Sequence, residues 1–279
     1  MPLDLSTVGF RTKPFAFEYS FQQAVLYALG VGATRDELDF LYEGRGPRVL
    51  PSFAVVPAYA PATQLFDHTG CDLLQLLHLG QVIRLHRPLP PAGKLETVGV
   101  VKGIYDMKKL AQVVLETHTT ERGEPLFETE WTLLLRDSGG FGGPRPPKSE
   151  VPKAAAGQQP TFVTTLPTSP EQALLYRLSG DLNPLHADPD FAARAGFPEG
   201  PILHGLCSFG VMTRALVRHL GGDQTKISAI GAQFRKPVWP GEPIRTEGYD
   251  VGGGKFALEA FAADRTEPVI TAAWAELRS

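Results

Sequence analysis

Leu85-His-Arg-Pro-Leu-Pro-Pro-Ala-Gly-Lys-Leu95 in the first half of the chain is answered by Phe234-Arg-Lys-Pro-Val-Trp-Pro-Gly-Glu-Pro-Ile244 in the second. Each stretch is the end of an apolar run, a basic residue, a proline, an apolar residue and a Pro/Gly turn into the next apolar run. Pro/Gly turns resemble one another by chance, but these two occupy matched positions within their halves, and duplication is the better explanation. Between them, residues 138–160 form the most Pro/Gly-rich stretch of the 279-residue chain. Such a run continues neither a helix nor a central strand and reads as a linker. The expected division is therefore a first unit over 1–137, a linker over 138–160 and a second unit over 161–279.

Working outward, the two units repeat one order of elements. Apolar spacing predicts short helices over 20–29 and 169–178, then longer ones over 64–78 and 206–220. Period-two alternation predicts strands over 81–86, 95–105, 110–120 and 126–136 in the first unit. In the second it predicts them over 227–234, 244–251, 256–263 and 269–277. Four antiparallel strands after a helix bury one face only by curling round that helix. The expected class is α+β, two helix-in-sheet units side by side.

Composition excludes several functions. A 43% apolar content supports a buried core, and a net charge of −3 recommends neither nucleic acid nor an anionic membrane as partner. No window approaches the ~20 apolar residues that span a bilayer. The first residues lack a secretory pattern and the last do not form a Ser-Lys-Leu-type signal, so a cytoplasmic location is expected. The two cysteines, Cys71 and Cys207, lie in apolar stretches and read as buried free thiols.

Chemistry concentrates in Ser179-Gly-Asp181-Leu-Asn183-Pro-Leu-His186-Ala-Asp188-Pro189. Asp188 followed by proline reads as the N-cap of a helix over 189–195. A turn needs no Gly, Asp, Asn and His within seven residues, however. An Asp and a His five apart on one loop can converge on a single water, as general acid–base chemistry requires. Two or three ligands without a further His/Cys/Asp cluster fall short of a metal site, and no Gly-x-Ser-x-Gly elbow supports a nucleophilic serine. Downstream, Pro201-Ile-Leu-His-Gly205 opens the second long helix. Gly205 at its N-terminus either permits tight packing or lets a substrate carbonyl approach unpaired N–H groups. Twenty-four residues after Asp181, the second role is favoured.

Together, Tyr176-Arg-Leu-Ser-Gly-Asp-Leu-Asn-Pro-Leu-His186 and Pro201-Ile-Leu-His-Gly-Leu-Cys207 resemble the hydratase 2 motif of the MaoC-like family. The resemblance is especially close to the (3R)-specific enoyl-CoA hydratase 2 unit of peroxisomal multifunctional enzymes and its stand-alone plant and bacterial relatives. Residues 40–43, 50–53, 88–95 and 138–143 extend the resemblance over most of the chain. It implies a double hot-dog fold and reversible hydration of trans-2-enoyl-CoA to (3R)-3-hydroxyacyl-CoA in fatty-acid metabolism, with the thioester as substrate and no cofactor or metal. It implies that Asp181 and His186 activate the water, that Asn183 supports them and that the Gly205 N–H polarises the thioester carbonyl. It also implies that Phe234, His78, Leu79, Gly80 and Lys108 contact the acyl-CoA. Here the family's His-Gly pair is interrupted by Leu79, Lys108 aligns within one residue, and Phe141 and Arg145 are equally CoA contacts or mere linker.

Laying Tyr27-Ala-Leu-Gly-Val-Gly32 over Tyr176-Arg-Leu-Ser-Gly-Asp181 sets Gly32 opposite Asp181, Thr34 opposite Asn183 and Glu37 opposite His186. The first unit has lost the dyad, and one active site per chain is expected. Alternative readings are a thioesterase, a dehydratase of carrier-protein substrates, or an inactive acyl-CoA-binding subunit. Two fused units are compatible with either a monomer or a homodimer.

Overall fold

A computed structural model of the chain describes residues 3–70, 76–148 and 150–278. The first half runs β1 (Phe15–Tyr19), α1 (Phe21–Gly30), α2 (Leu38–Leu41), α3 (Val55–His68), β2 (Leu76–Leu85), β3 (Gly93–Met107), β4 (Leu110–Glu121) and β5 (Glu124–Leu135). The second half repeats that order as β6 (Phe162–Leu166), α4 (Gln172–Tyr176), α5 (Pro189–Arg194), α6 (Gly205–His219), β7 (Ile227–Phe234), β8 (Ile244–Gly252), β9 (Lys255–Ala262) and β10 (Ile270–Leu277).

All ten strands form one antiparallel sheet in the order β1-β3-β4-β5-β2-β7-β10-β9-β8-β6. Read from either edge, the halves have the same internal order, so the sheet is two copies joined through β2 and β7 about a pseudo-two-fold axis. The seam pairs Gly80 with Gln233, Ile83 with Ile230 and Arg84 with Ala229. Each copy wraps its long helix: α3 lies against β3 and β4, and α6 against β6 and β8. This is the double hot-dog architecture, and the seam brings the first half's α3, β2 and β5 beside the second half's helix terminus.

Local sequence explains where the helices begin and end. Ser20 and Gln23 form a capping box at the start of α1. Asp188 caps α5 by accepting from the Asp190 and Phe191 N–H groups, with Pro189 in the first turn. The helix expected over 64–78 is instead α3, ending at His68. Gly70, at φ +73°, turns the chain out of the helix. Leu76, Leu77 and His78 belong to β2 and pair with Leu135, Leu134 and Leu133 of β5. An apolar run of that length suits either conformation, and cross-strand partners decide it. α3 carries two prolines, Pro57 and Pro61. Pro57 falls in its first turn, and both prolines are buried along with Ala58, Ala62 and Leu65, so packing overrides propensity. The edge strands β1 and β6 were not expected from the sequence. The 206–220 helix is α6, buried from Leu206 to Val217. Cys207 is a buried free thiol whose pKa burial raises; Cys71 lies outside the described residues.

The degenerate loop of the first half has a structural task. Glu37, opposite His186 in the internal alignment, forms an ion pair with Arg214 of α6, which also donates to the Val31 carbonyl at 2.7 Å. Arg214 is 1% exposed. Glu37→Ala should therefore cost about 3–5 kcal/mol in urea unfolding, because it leaves a buried guanidinium without its counter-charge. Adding Arg214→Met should recover most of that loss. A loss below about 1 kcal/mol in the single variant would show the pair to be dispensable.

Candidate active site

The second half supplies one wall of the site from two adjacent pieces of chain. Residues 181–186 form a tight loop stabilised by its own polar side chains. The Asn183 backbone N–H donates to Asp181 Oδ1 at 3.2 Å, and Asn183 Oδ1 caps the 3₁₀ turn Pro184–His186 by accepting from the Leu185 N–H. Arg177 donates to the Leu182 carbonyl at 3.1 Å and holds the loop from behind. The other piece is the start of α6, where His204 is the N-cap and Gly205 the first helical residue.

His204 links the two pieces. Its ring stacks on that of His186 at 3.7 Å, and its Nε2 faces the Asp181 carbonyl oxygen at 3.2 Å. A carbonyl only accepts, so Nε2 of His204 carries the proton. By the same reasoning His186 Nδ1, 2.8 Å from the Ile202 carbonyl, carries its proton and leaves Nε2 with a free lone pair. Burial lowers the pKa of His186, partly opposed by Asp181 and the Ile202 carbonyl. At neutral pH His186 is thus an uncharged acceptor.

A nitrogen of His186, a nitrogen of His204 and a carboxylate oxygen of Asp181 lie within 4.8 Å of one another. The two rings lie nearly face to face, 28° apart, so their lone pairs lie in nearly parallel planes, a poor arrangement for two ligands converging on one metal. A carboxylate oxygen of Asp181 and a ring nitrogen of His186 this close together suit a single water. Two acceptors sharing one water at ordinary hydrogen-bond lengths stand about 4.5 Å apart.

The Gly205 and Leu206 N–H groups at the start of α6 have no intrahelical acceptor, whereas the Cys207 and Ser208 N–H groups donate to the His204 carbonyl. A Cβ at Gly205 would stand 3.3 Å from Phe234 Cδ1, at the end of β7, so glycine lets that ring close over the helix terminus. Phe234 in turn meets the His78 ring edge-on at 5.0 Å. Leu79 is the additional residue of a β-bulge in β2 between His78 and Gly80. The interruption seen in the sequence is this bulge, and bulges re-aim side chains. His78 stacks on Trp131 at 5.2 Å, and burial there pushes its pKa down to about 4.

Lys108 is not brought to this group. It is exposed at the tip of the β3–β4 hairpin with φ +71°, and its N–H donates to Asp106. Asp106 also accepts from Gly140 and Gly142, so the glycine-rich segment after β5 is tied to that hairpin, with Phe141 packed against the core. Three site residues had no role assigned from sequence: His204, Tyr59 and Trp131. Tyr59 of α3 donates to Asp181 Oδ1 at 2.7 Å, and Trp131 of β5 lies 6.2 Å from the Tyr59 ring. The signal for Tyr59 was a polar tip within the apolar stretch 55–62, which the displaced helix assignment hid.

His204 is 1% exposed, and burial followed by the neighbouring His186 lowers its pKa from the ordinary histidine value near 6.5 to about 3. The unfolded chain takes up this proton near 6.5 and the folded chain only near 3, so stability is lost as pH falls below about 6.5. Between pH 7 and pH 5, His204 alone should contribute about 2 kcal/mol of that loss. Urea unfolding of wild type and His204→Asn across this range checks it: the variant should show a shallower decline, and parallel curves would contradict the assignment.

A double hot-dog sheet with an Asp–His pair at the head of a buried helix defines the class. Residues 152–271 match the MaoC like domain and residues 17–137 the MFE-2 hydratase 2 N-terminal domain. The chain is 43% identical over 280 residues to 3-hydroxyacyl-thioester dehydratase Y of Mycobacterium tuberculosis, covering 96% of this chain and 95% of that protein. It is 39% identical over 282 residues to the enoyl-CoA hydratase ChsH3 of the same organism, covering 97% of each. A crystal structure of a MaoC-like dehydratase from Phytophthora capsici superposes with a TM-score of 0.90 at 27% identity, over 99% of this chain and 98% of that one. The chain belongs to the MaoC-like hydratase 2 family.

Proposed function

We propose that the protein is a hydro-lyase that reversibly adds water to trans-2-enoyl-CoA, giving (3R)-3-hydroxyacyl-CoA. The observation that carries this reading is the clustering of the Asp181 carboxylate and the His186 ring at the N-terminus of α6. The substrate class is supported by the names of the two mycobacterial relatives, and the (3R) outcome by the hydratase 2 resemblance.

In this reading the Gly205 N–H donates to the thioester carbonyl, which makes C3 electrophilic. Water held by Asp181 and His186 bonds to C3 through its oxygen, and the C2–C3 π electrons move toward C2 and the carbonyl oxygen as an enolate. The dyad takes one proton from the water and returns one to C2 on the same face, so H and OH are added and nothing is left over. No step calls for a cofactor or a redox partner. Asn183 acts by shaping the loop, and Phe234, His78, Leu79 and Gly80 line the acyl-CoA path. Lys108 would meet only the distal part of CoA.

We read 1–137 as the catalytically degenerate unit, 138–160 as the connection and 161–279 as the catalytic unit. No helix among the described residues is long and apolar enough to cross a membrane. A cytoplasmic setting in fatty-acid metabolism is our proposal.

The test is loss of the conjugated enoyl absorbance with crotonyl- and decenoyl-CoA, alongside a thiol assay. Hydration without thiol release supports the proposal. Thiol release would make the protein a thioesterase, and turnover only with carrier-protein substrates would change the substrate class. No turnover of any thioester would leave a binding subunit.

A further inference from the structure

The first half contributes more than a lining to the site. Tyr59, on α3, is half-buried and places its hydroxyl 2.7 Å from Asp181 Oδ1, across the seam between the two units. The Asn183 N–H donates to the same oxygen at 3.2 Å. Among the described residues, no donor meets Asp181 Oδ2. Burial and the Asp181 charge raise the Tyr59 pKa, so the phenol keeps its proton and serves as a donor.

The phenol is held by a rigid support. The Tyr59 ring packs edge-on against Trp131 at 6.2 Å and 65°. Trp131 is 1% exposed, and its indole N–H donates to Thr129 Oγ1 at 2.7 Å. Trp131 also stacks on His78, which meets Phe234, which covers Gly205. Four rings thus connect Asp181 to the helix terminus, and the first half supplies three of them. A carboxylate rotates easily about its last side-chain bond and can present either oxygen. With Oδ1 occupied by two donors, only Oδ2 remains to face a water.

We propose that Tyr59 is a positioning residue: its hydroxyl occupies Oδ1 of Asp181 and leaves Oδ2 to accept the proton of the reacting water. The water and its fate rest on the hydratase reading, whereas the contact itself can be tested without it. Tyr59→Phe removes the hydroxyl and keeps the ring. In a crystal structure of Tyr59→Phe the Asp181 carboxyl should be turned about its last side-chain bond or spread over more than one orientation, because one of the two donors to Oδ1 is gone. In steady-state hydration of enoyl-CoA, kcat should fall about 10- to 100-fold, with KM within about 3-fold of wild type, since ground-state binding is untouched. The acidic limb of the kcat/KM profile should move to higher pH. Tyr59→Gln, which returns an N–H donor, should recover part of both effects.

An unchanged Asp181 carboxyl orientation in folded Tyr59→Phe would overturn the proposal whether or not the protein hydrates enoyl-CoA. So would an unchanged kcat and pH profile in an active enzyme. If the carboxyl turns but wild type turns over no enoyl thioester, the hydratase reading fails and the Tyr59–Asp181 contact stands.

Discussion

Asp181→Asn should lower kcat for enoyl-CoA hydration by about 10²- to 10⁴-fold while leaving the fold and KM nearly intact. That range is what a well-placed general acid or base contributes. The substitution keeps the volume, and its amide oxygen can still accept from Tyr59 and the Asn183 N–H at the Oδ1 position. What it removes is the basic oxygen on the other side, replaced by an NH₂ that offers hydrogens to a water instead of accepting one. His186→Ala should fall in the same range, with an added stability cost because the His204 ring loses its 3.7 Å stacking partner. Residues that act as one unit are not additive. The double variant should therefore be little slower than the worse single one. Near-native turnover by either folded variant would remove the dyad from the chemistry.

The second large effect is expected at Gly205. Its proposed contribution is a backbone N–H, which side-chain truncation cannot delete, but Gly205→Pro can. Proline is well tolerated at the first helical position. The preceding residue, His204, already has φ −57° and ψ +134°, the extended conformation that a following proline demands. The new ring must still fit beside Phe234, where even a Cβ stands at 3.3 Å. Gly205→Ala is the control, since it adds the Cβ and keeps the N–H. Loss of an oxyanion donor costs about 10²–10³ in kcat in measured cases. Gly205→Pro should fall that far below Gly205→Ala, with folding verified by circular dichroism. Equal rates for the two variants would mean that the Gly205 N–H does not stabilise the enolate.

How much of this was legible in the sequence follows the range over which each feature is encoded. The 181–186 loop is local: its caps, prolines and reactive groups are neighbours in the chain, so their spacing could be read directly. The duplication was legible for the same reason, from matched turns at 85–95 and 234–244. Tyr59 and Asp181 are 122 residues apart, and only the seam between β2 and β7 brings their elements together. No local pattern specifies that approach. The helix carrying Tyr59 was misplaced because Pro57 and Pro61 count against a helix, while the strand beginning at Leu76 is an apolar run that fits either period. Its pairing with β5 settles the matter. The edge strands β1 and β6 are five residues each, too short for alternation to stand out. The loss of the dyad from the first half was visible as Gly32, Thr34 and Glu37. The recruitment of Glu37 to neutralise a buried arginine on α6 was not, because Arg214 lies 177 residues away.

The central claim, that one water held between Asp181 and His186 supplies both added groups to a single face, is tested most directly by hydrating crotonyl-CoA in D₂O. The relative configuration at C2 and C3 of the product can be read by NMR, with (R)- and (S)-specific dehydrogenases reporting the C3 centre. The predicted result is a (3R)-hydroxyl with deuterium added at C2 from the same face. Anti addition, or a (3S) product, would contradict it.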